Sequence, residues 1–274
     1  MVRGALVGVC AVFVATAVAG CGGSRAAAPP TTTIRQLRQF GVVFPEGFTR
    51  VQMAARVGAV AKIAQRESQH EVKLSQKAYL AATAHTRSIP DFGAKKLPLE
   101  GFLFPDTYDF DRTSTSAELA HGQLQEFDSM WSKLNLSYAR SKNLTPYDVL
   151  TIASMIEGEA QVPSERPLVA AVIYNRLRDG MPLGIDATLR YGLHIPPTQS
   201  LTQSELHDPT PYNTRLHDGL PPTPINNPGL ASLEAATHPA KVDYLYFVRK
   251  PDHKHHYFTA NYQDFLRHEA AYGY

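Results

Sequence analysis

Cysteine is nearly absent from this chain of 274 residues, since its two copies, Cys10 and Cys21, both lie near the amino terminus. The rest of the chain therefore has no internal disulfide framework and no cysteine metal site. Its eleven histidines include no H-E-x-x-H pattern, and the cluster at residues 253–256 is typical of a solvated hairpin tip. No Ser-His-Asp order or glycine-rich phosphate loop stands out. The sequence predicts no metal centre and no cofactor.

The chain also lacks a strong excess of charge of either sign. Lysine and arginine total 27 against 25 acidic residues, and because Arg3 and Arg25 precede residue 31, the remainder carries 25 of each sign. A neutral body offers no electrostatic footprint for nucleic acid, so no nucleic-acid partner is expected. With 43% hydrophobic and 19% charged residues, the composition is that of an ordinary globular protein. It argues against wholesale disorder, a polytopic membrane protein and a fibre.

A hydrophobic run covers residues 5–19, directly after Arg3. It is shorter than the about 20 residues of a membrane span and long enough for the core of a signal peptide. It ends in Val-Ala-Gly-Cys21, which resembles the bacterial lipobox, where small residues precede a cysteine that becomes lipidated. We interpret residues 1–20 as a signal peptide or membrane anchor, Cys21 as a lipidation site and residues 21–39 as a flexible tether. The alternative is an uncleaved anchor helix in which Cys21 is incidental.

The helix that opens the carboxy-terminal half is the best signalled element. Thr145 is the expected N-cap, Pro146 occupies the first helical position, and Asp148 completes a capping-box pattern. Apolar residues at helical spacing then cover residues 149–156. Glu157 follows at the edge of this stripe, between the buried and the solvated face.

Other elements are predicted from the same kinds of signal. We expect helices over residues 51–63, 116–134 and 230–237, a helix capped by Ser164 and ended by Gly180, and a strand at residues 244–248. Residues 181–229 are rich in proline and glycine and are predicted to be loops. Long loops in a compact domain usually build a site. Stiff loops with aromatic and amide groups suit a groove for a sugar polymer.

Several segments resemble one known family, in sequence and in order. Residues 99–108 (LEGFLFPDTY) resemble its LEGYLFPDTY segment, and residues 153–160 (ASMIEGEA) resemble its ASIIEKEA helix. Further matches follow in the family's order at residues 174–177, 181–183, 186–188, 212–214, 219–229, 238–240 and 244–248. Over about residues 40–270 the chain is similar to the endolytic murein transglycosylases, the YceG-like family.

The chain departs from the family pattern at four places. Gly158, Ala187 and Thr223 stand where the family usually has Lys, Pro and Gly. The family also usually keeps a transmembrane helix at the amino terminus, where this chain has the lipobox-like Cys21. None of these departures removes the acidic residue of the helix motif.

The resemblance implies a membrane-anchored enzyme on the extracytoplasmic face that cuts the glycan strands of peptidoglycan. It implies an α+β fold, with a LysM-like subdomain at residues 40–90 and a catalytic transglycosylase domain at residues 91–274 that has helices around a small sheet. Association with cell-wall synthesis enzymes is an expectation at the level of the family.

The resemblance assigns catalysis to Glu157. Cleavage of a glycosidic bond needs a proton on the leaving oxygen, and a carboxyl group in an apolar pocket can carry one near neutral pH. The same carboxylate would then deprotonate the C6 hydroxyl of the muramic acid, whose oxygen attacks C1 and gives a 1,6-anhydro end. Because no water is consumed, no second carboxylate is needed to activate it.

The candidate substrate-binding residues are Asn213, Tyr212, Asp186, Thr188, Asn226 and Glu159. Asp186 and Thr188 either contact sugar or hold their loop by side-chain-to-backbone bonds. Glu100 is interpreted as a helix cap or a partner in a salt bridge. Two other functions stay open: a catalytically silent peptidoglycan-binding scaffold, and a hydrolase that uses Glu157 with Asp186 or Glu159.

Overall fold

A computed structural model describes residues 37–84, 89, 91–92 and 97–273 of the chain. The predicted signal peptide, Cys21 and most of the tether lie outside these residues. The described part belongs to one unit, Leu37–Tyr274. Its strands are β1 (Phe40–Val43), β2 (Thr107–Phe110), β3 (Tyr246–Arg249) and β4 (His256–Thr259). Its helices are α1 (Arg50–Ser68), α2 (Gln76–Ala82), α3 (Ser116–Trp131), α4 (Ser137–Ser141), α5 (Pro146–Glu159), α6 (Arg166–Arg178), α7 (Asp186–Leu193), α8 (Gln203–Leu206), α9 (Leu230–Thr237) and α10 (Tyr262–Tyr272).

The strands form two separate antiparallel pairs. β1 pairs with β2, with Phe40 opposite Phe110, and β3 pairs with β4, with Tyr246 opposite Thr259. The fold is thus rich in helices with small sheets, in agreement with the predicted class. Among the described residues, none of the helices combines the length and the hydropathy needed to span a membrane.

Capping boxes set the starts of four helices. At α5 the Asp148 N–H donates to the Thr145 hydroxyl at 3.2 Å, and the Thr145 N–H donates back to the Asp148 carboxylate at 2.8 Å. Thr115, Thr49 and Thr202 make the same box at α3, α1 and α8. The predicted starts of α5 and α3 are confirmed, because such boxes act within a single helical turn. The predicted start of α9 is confirmed as well, although its N-cap, Gly229, has no side chain to cap the helix.

Two sequence predictions about the middle of the chain were wrong. Residues 181–229 are not loops throughout, since α7 and α8 lie within them. Neither helix shows an apolar period in the sequence, since α7 buries only Thr188 and Leu189 and α8 has no buried residue. Ser164 does not cap α6, because a 3₁₀ turn covers Pro163–Glu165 and Glu165 is the N-cap. Helix α10 was not predicted.

Helix α5 lies in the centre of the core and carries Glu157. All its residues from Val149 to Ile156 are buried, and it packs against α9 on one side and α6 on another. A helix that is buried on every face has to be enclosed by its neighbours. The last turn of α5 is therefore held in one position relative to α9.

One asparagine joins three segments that are far apart in the chain. The buried Asn227 Oδ1 accepts from the N–H groups of Gly101 and Leu103, each at 2.9 Å. Its Nδ2 donates to the Phe48 carbonyl oxygen and to the Glu100 carboxylate, each also at 2.9 Å. The loop before α9 is thereby tied both to residues 99–103 and to the turn before α1.

Replacing Asn227 with Ala should lower the free energy of unfolding by about 3 kcal/mol or more, because buried N–H, C=O and carboxylate groups lose their partner. Urea unfolding measures the effect. The matched control is Asn135→Ala, since Asn135 is exposed and accepts only from Ser137. A loss at Asn227 no larger than that of the control would contradict the structural role of this amide.

Candidate active site

The Glu157 side chain, in the last turn of α5, points at the start of α9. The Ser232 hydroxyl donates to its Oε2 at 2.7 Å, and the Gly229 N–H donates to the same oxygen at 3.1 Å. Arg166 Nη2 lies 3.4 Å from Oε1. Only 7% of the Glu157 side chain is exposed. The carboxyl group is thus nearly dry and firmly oriented, and Oε1 is its less occupied oxygen.

These surroundings differ from the apolar pocket that the sequence led us to expect. Gly229 is the N-cap of α9, and the first N–H groups of a helix have no partner within the helix. They are available for a carboxylate, and the helix dipole adds a favourable interaction. Local pattern could not reveal this, since Glu157 and Gly229 are 72 residues apart.

Arg166, at the start of α6, links Glu157 to two further groups. Its Nε donates to Ser232 Oγ at 3.0 Å, and its Nη2 lies 3.8 Å from Glu46 Oε2. Only 11% of the Arg166 side chain is exposed, and a buried guanidinium needs charged or polar partners. Neither Arg166 nor Glu46 was predicted from the sequence to be a site residue. The turn at residues 44–47 gave no signal that it would meet α6.

A cleft of about 1460 Å³ opens beside Glu157. Glu157 lies behind its lining, and the wall includes the next residue, Gly158, and Gly47. A Cβ atom on Gly47 would lie 3.5 Å from Glu157 Cγ. The residues that line it include Glu100, Glu159, Asp186, Tyr191, Asn226, Tyr246 and Tyr262. Residues from the first and the last third of the chain therefore meet around one groove.

Residues 25–271 match the sequence model of the YceG-like family. The chain belongs to the YceG-like family. It is 40% identical to the endolytic murein transglycosylase of Bacillus subtilis (strain 168) over 157 residues, which cover 57% of this chain and 43% of that protein. It is 32% identical to the enzyme of the same name from Streptococcus pneumoniae strain R6 over 249 residues, 84% of this chain and 44% of that protein. The chain spans less than half the length of these curated relatives.

A solved structure of a YceG-like protein from Listeria monocytogenes is similar, with a TM-score of 0.70 at 30% identity. The similarity covers 83% of this chain and 75% of that chain. The family predicted from the sequence motifs is thus confirmed.

Three of the predicted site residues of this YceG-like chain line the cleft. Asp186 pairs with Arg215 at the start of α7. Glu159 accepts from the Ala187 N–H at 3.4 Å, and burial, with the nearby Asp186 charge, raises the pKa of Glu159. Asn226 donates through Nδ2 to a backbone carbonyl at 2.9 Å, while its buried Oδ1 has no hydrogen-bond partner among the described residues. An unpaired buried oxygen beside a groove is free to accept from a ligand.

The other three lie behind the lining of the cleft. Asn213 is fully buried, and its amide donates to two backbone carbonyls at 2.8 and 3.1 Å. The buried Thr188 hydroxyl donates to the Ile185 carbonyl at 2.7 Å, and the Tyr212 hydroxyl lies 2.9 Å from that of Thr223. These positions suit side chains that hold the walls of the groove together. The sequence left two roles open for Thr188, contact with sugar or holding its loop by side-chain-to-backbone bonds, and this position suits the second.

Glu100 caps helix α1, which is one of the two roles that we expected for it from the sequence. Its carboxylate accepts from the Arg50 N–H at the start of α1 at 2.8 Å, from the Asn227 amide at 2.9 Å and from the Tyr191 hydroxyl at 3.1 Å. Burial nevertheless raises the pKa of Glu100 to about 7, because desolvation disfavours the charged form by more than these donors favour it.

Glu100→Gln should make the stability of the fold less dependent on pH. A carboxyl group with a raised pKa binds its proton more tightly in the folded chain. Its stabilising contribution is therefore complete below its ordinary pKa of 4.5 and is lost as the pH rises through about 7. Gln keeps the shape and the acceptor oxygen but has no charge to bury. The full difference is on the order of 3 kcal/mol.

Urea unfolding at about pH 5 and about pH 8 measures this difference. The variant should equal the wild type at the lower pH and exceed it in stability at the higher pH. Glu67→Gln is the control, since Glu67 is exposed and pairs with Arg38. If Glu100→Gln kept the pH dependence of the wild type, a buried carboxyl group with a raised pKa would be ruled out.

Proposed function

We propose that this chain is an endolytic murein lytic transglycosylase. It would cut the bond between N-acetylmuramic acid and N-acetylglucosamine within peptidoglycan glycan strands and leave 1,6-anhydro ends, which can end the growth of a nascent strand. The observation that carries the proposal is the oriented, nearly dry carboxyl group of Glu157 beside a large groove in a YceG-like chain. The matched relatives from Bacillus subtilis and Streptococcus pneumoniae are named endolytic murein transglycosylases.

Glu157 first acts as the acid. It delivers its proton to the glycosidic oxygen, the bond from C1 to that oxygen breaks, and C1 gains oxocarbenium character. Oε2 accepts from Ser232 and Gly229, whereas the 3.4 Å contact with Arg166 is the only one that Oε1 makes with the described part of the chain. We therefore assign proton transfer to Oε1.

Glu157 then acts as the base. Its carboxylate takes the proton of the C6 hydroxyl as that oxygen attacks C1, and the new bond closes the 1,6-anhydro ring. The leaving oxygen has gained the proton that Glu157 lost, and Glu157 has regained one, so no water is consumed and one residue serves both steps. Between the steps, the Gly229 N–H and Arg166 stabilise the negative charge.

The cleft has the size and the chemistry for a sugar polymer. A pocket for one small molecule measures roughly 300–1,000 Å³, and this groove of about 1460 Å³ exceeds that range. Tyr262 is 51% exposed, and its ring centroid lies 5.3 Å from that of Tyr246, which provides apolar faces for sugar rings. Asp186, Asn226 and Glu159 provide polar groups for hydroxyl and N-acetyl substituents. Asn213, Tyr212 and Thr188 would support binding by keeping the wall in shape.

We also propose that residues from 40 onward form the LysM-like unit that the family resemblance implies. The pairing of β1 with β2 supports an end near residue 110 and not at residue 90, because the sheet of this unit is complete only with Thr107–Phe110. The catalytic domain would then occupy the rest of the chain. Cell-wall synthesis enzymes are proposed partners on the strength of the family alone.

The location proposed for the protein is the extracytoplasmic face of the cell membrane. The small residues before Cys21 and the apolar run at residues 5–19 support an anchor through lipidated Cys21. A transmembrane helix at the amino terminus is the alternative.

Glu157→Gln should abolish cutting, with a loss of roughly 100-fold or more, because the amide cannot deliver a proton. The fold should remain, since the amide has the same shape and its oxygen can still accept from Ser232. Mass spectrometry of uncrosslinked glycan strands after incubation detects the anhydro ends. Glu234→Gln is the control, since Glu234 is exposed on the neighbouring helix α9.

The same experiment separates the competing functions. Products heavier by one water would indicate a hydrolase, and no products from the wild type would indicate a silent scaffold. Full activity of the Gln variant would refute the assignment of Glu157.

Metabolic labelling with a fatty acid tests the anchor. The wild type and Cys10→Ala should carry the label, whereas Cys21→Ala should not, because only Cys21 follows the small residues of the lipobox-like motif. A wild type without label would favour the transmembrane alternative.

A further inference from the structure

A second carboxyl group lies close to Glu157, and it comes from the amino-terminal part of the fold. Glu46 Oε2 is 3.8 Å from Arg166 Nη2, and Glu157 Oε1 is 3.4 Å from the same nitrogen. The Glu46 side chain is 49% exposed, against 7% for Glu157. One guanidinium group thus faces two carboxyl groups, one nearly dry and one open to solvent.

The backbone holds Glu46 in this place. The next residue, Gly47, donates its N–H to the Asn227 carbonyl at 2.9 Å, and the Asn227 N–H donates back to the Phe48 carbonyl at 3.0 Å. These two bonds dock the turn before α1 onto the loop before α9. The position of the Glu46 carboxyl group therefore follows the position of that loop.

Gly229 lies next to the carboxyl groups of both Glu157 and Glu46. Its N–H donates to Glu157, and a Cβ atom on this residue would lie 1.8 Å from Glu46 Oε1. The backbone of Gly229, with φ −78° and ψ 172°, is extended and open to any residue. Glycine is needed here for space and not for an unusual backbone conformation.

The charges around this site come from three elements. Glu46 belongs to the turn before α1, Glu157 to α5 and Arg166 to α6, while α9 offers only the Ser232 hydroxyl and the Gly229 N–H. Two carboxyl groups against one guanidinium leave an excess negative charge when both are ionised, and such a pair retains a proton more readily. Burial and the Glu157 charge raise the pKa of Glu46, although Arg166 opposes this.

Another acidic group near Arg166 is already engaged. Glu165, the residue before it, accepts from the His256 N–H at 2.9 Å, and its carboxylate lies 2.8 Å from His256 Nδ1. Burial lowers the pKa of His256, although Glu165 opposes this. Glu165 is therefore engaged by β4. Glu46 is the carboxyl group that can offset the positive charge of Arg166 beside Glu157.

We propose that Glu46 is a positioning residue of the active site, which acts through Arg166 to keep Glu157 able to carry the proton that it delivers. This rests on the proposed function of Glu157. Before proton transfer, ionised Glu46 offsets the positive charge of the Arg166 guanidinium group. After proton transfer, Arg166 remains close enough to stabilise the Glu157 carboxylate. The amino-terminal unit is thus part of the catalytic apparatus.

Glu46→Gln in the full-length protein tests this. We expect kcat to fall about tenfold or more and KM to change less than about twofold. The high-pH limb of the activity profile should move to lower pH, because Glu157 loses a neighbouring negative charge that favours its protonated form. Glu67→Gln, which removes an exposed acid from the same unit, should change none of these.

Gly229→Ala perturbs Glu46 in a second way. The methyl group would push the flexible Glu46 side chain away from Arg166, while the charge of Glu46 and the N–H at residue 229 both remain. The variant should reproduce the loss in kcat and the shift of the pH profile. If it acts through Glu46, the double variant Glu46→Gln/Gly229→Ala should show no further loss beyond Glu46→Gln alone.

Wild-type kcat and an unchanged pH profile in Glu46→Gln would overturn the proposal. So would a change in KM alone, which indicates a substrate contact, or a fall in kcat with a lowered melting temperature and no pH shift, which indicates a structural role. Activity of Glu157→Gln reports separately on the proposed function. An inactive Glu157→Gln beside a normal Glu46→Gln would leave the function standing and remove only this inference.

Discussion

A carboxyl group that is almost out of water has to be matched by hydrogen-bond donors, and here the donors lie at the start of α9. Gly229 and Ser232 both donate to one oxygen of Glu157. Gly229 suits this place because an N-cap N–H is not used by its own helix and because the missing side chain leaves room for Glu46. The packing of α5 against α9 therefore sets the geometry of the site before a substrate arrives.

Four consecutive residues before α9 connect this geometry to the rest of the fold. Asn226 faces the cleft, Asn227 holds residues 99–103 and the turn before α1, and Gly229 contacts Glu157. The Glu100 carboxylate is shared between Asn227 and the start of α1. Because these contacts follow one another along a single short loop, a shift of the turn before α1 would be transmitted to the carboxyl group of Glu157. Stability and site geometry are coupled through this loop.

The sequence predictions were accurate where the deciding interaction acts between neighbouring residues and failed where it acts over a longer range. The capping box of Thr145 and Asp148 lies within one turn, and the start of α5 was predicted correctly. Ser164 was wrongly assigned as a cap, because the chain makes a 3₁₀ turn there that no local pattern signals. Helix α7 was not predicted, because it has no side-chain cap and buries only Thr188 and Leu189, so neither a cap nor an apolar stripe marks it in the sequence. The Asn213 amide donates to the carbonyl groups of Leu206 and Asp208, contacts that the sequence did not indicate, and its contact with substrate stays a prediction.

By itself, the sequence determined the family, the candidate catalytic residue Glu157 and the starts of several helices, because motifs, caps and apolar spacing are properties of neighbouring residues. Only the tertiary structure decided which groups surround Glu157. Arg166, Gly229 and Glu46 come from three separate parts of the chain, and the burial of α5 between α6 and α9 brings them together. Contacts such as that between Glu157 and Gly229, which are 72 residues apart, leave no local pattern in the sequence, since they depend on how the enclosed helix is packed.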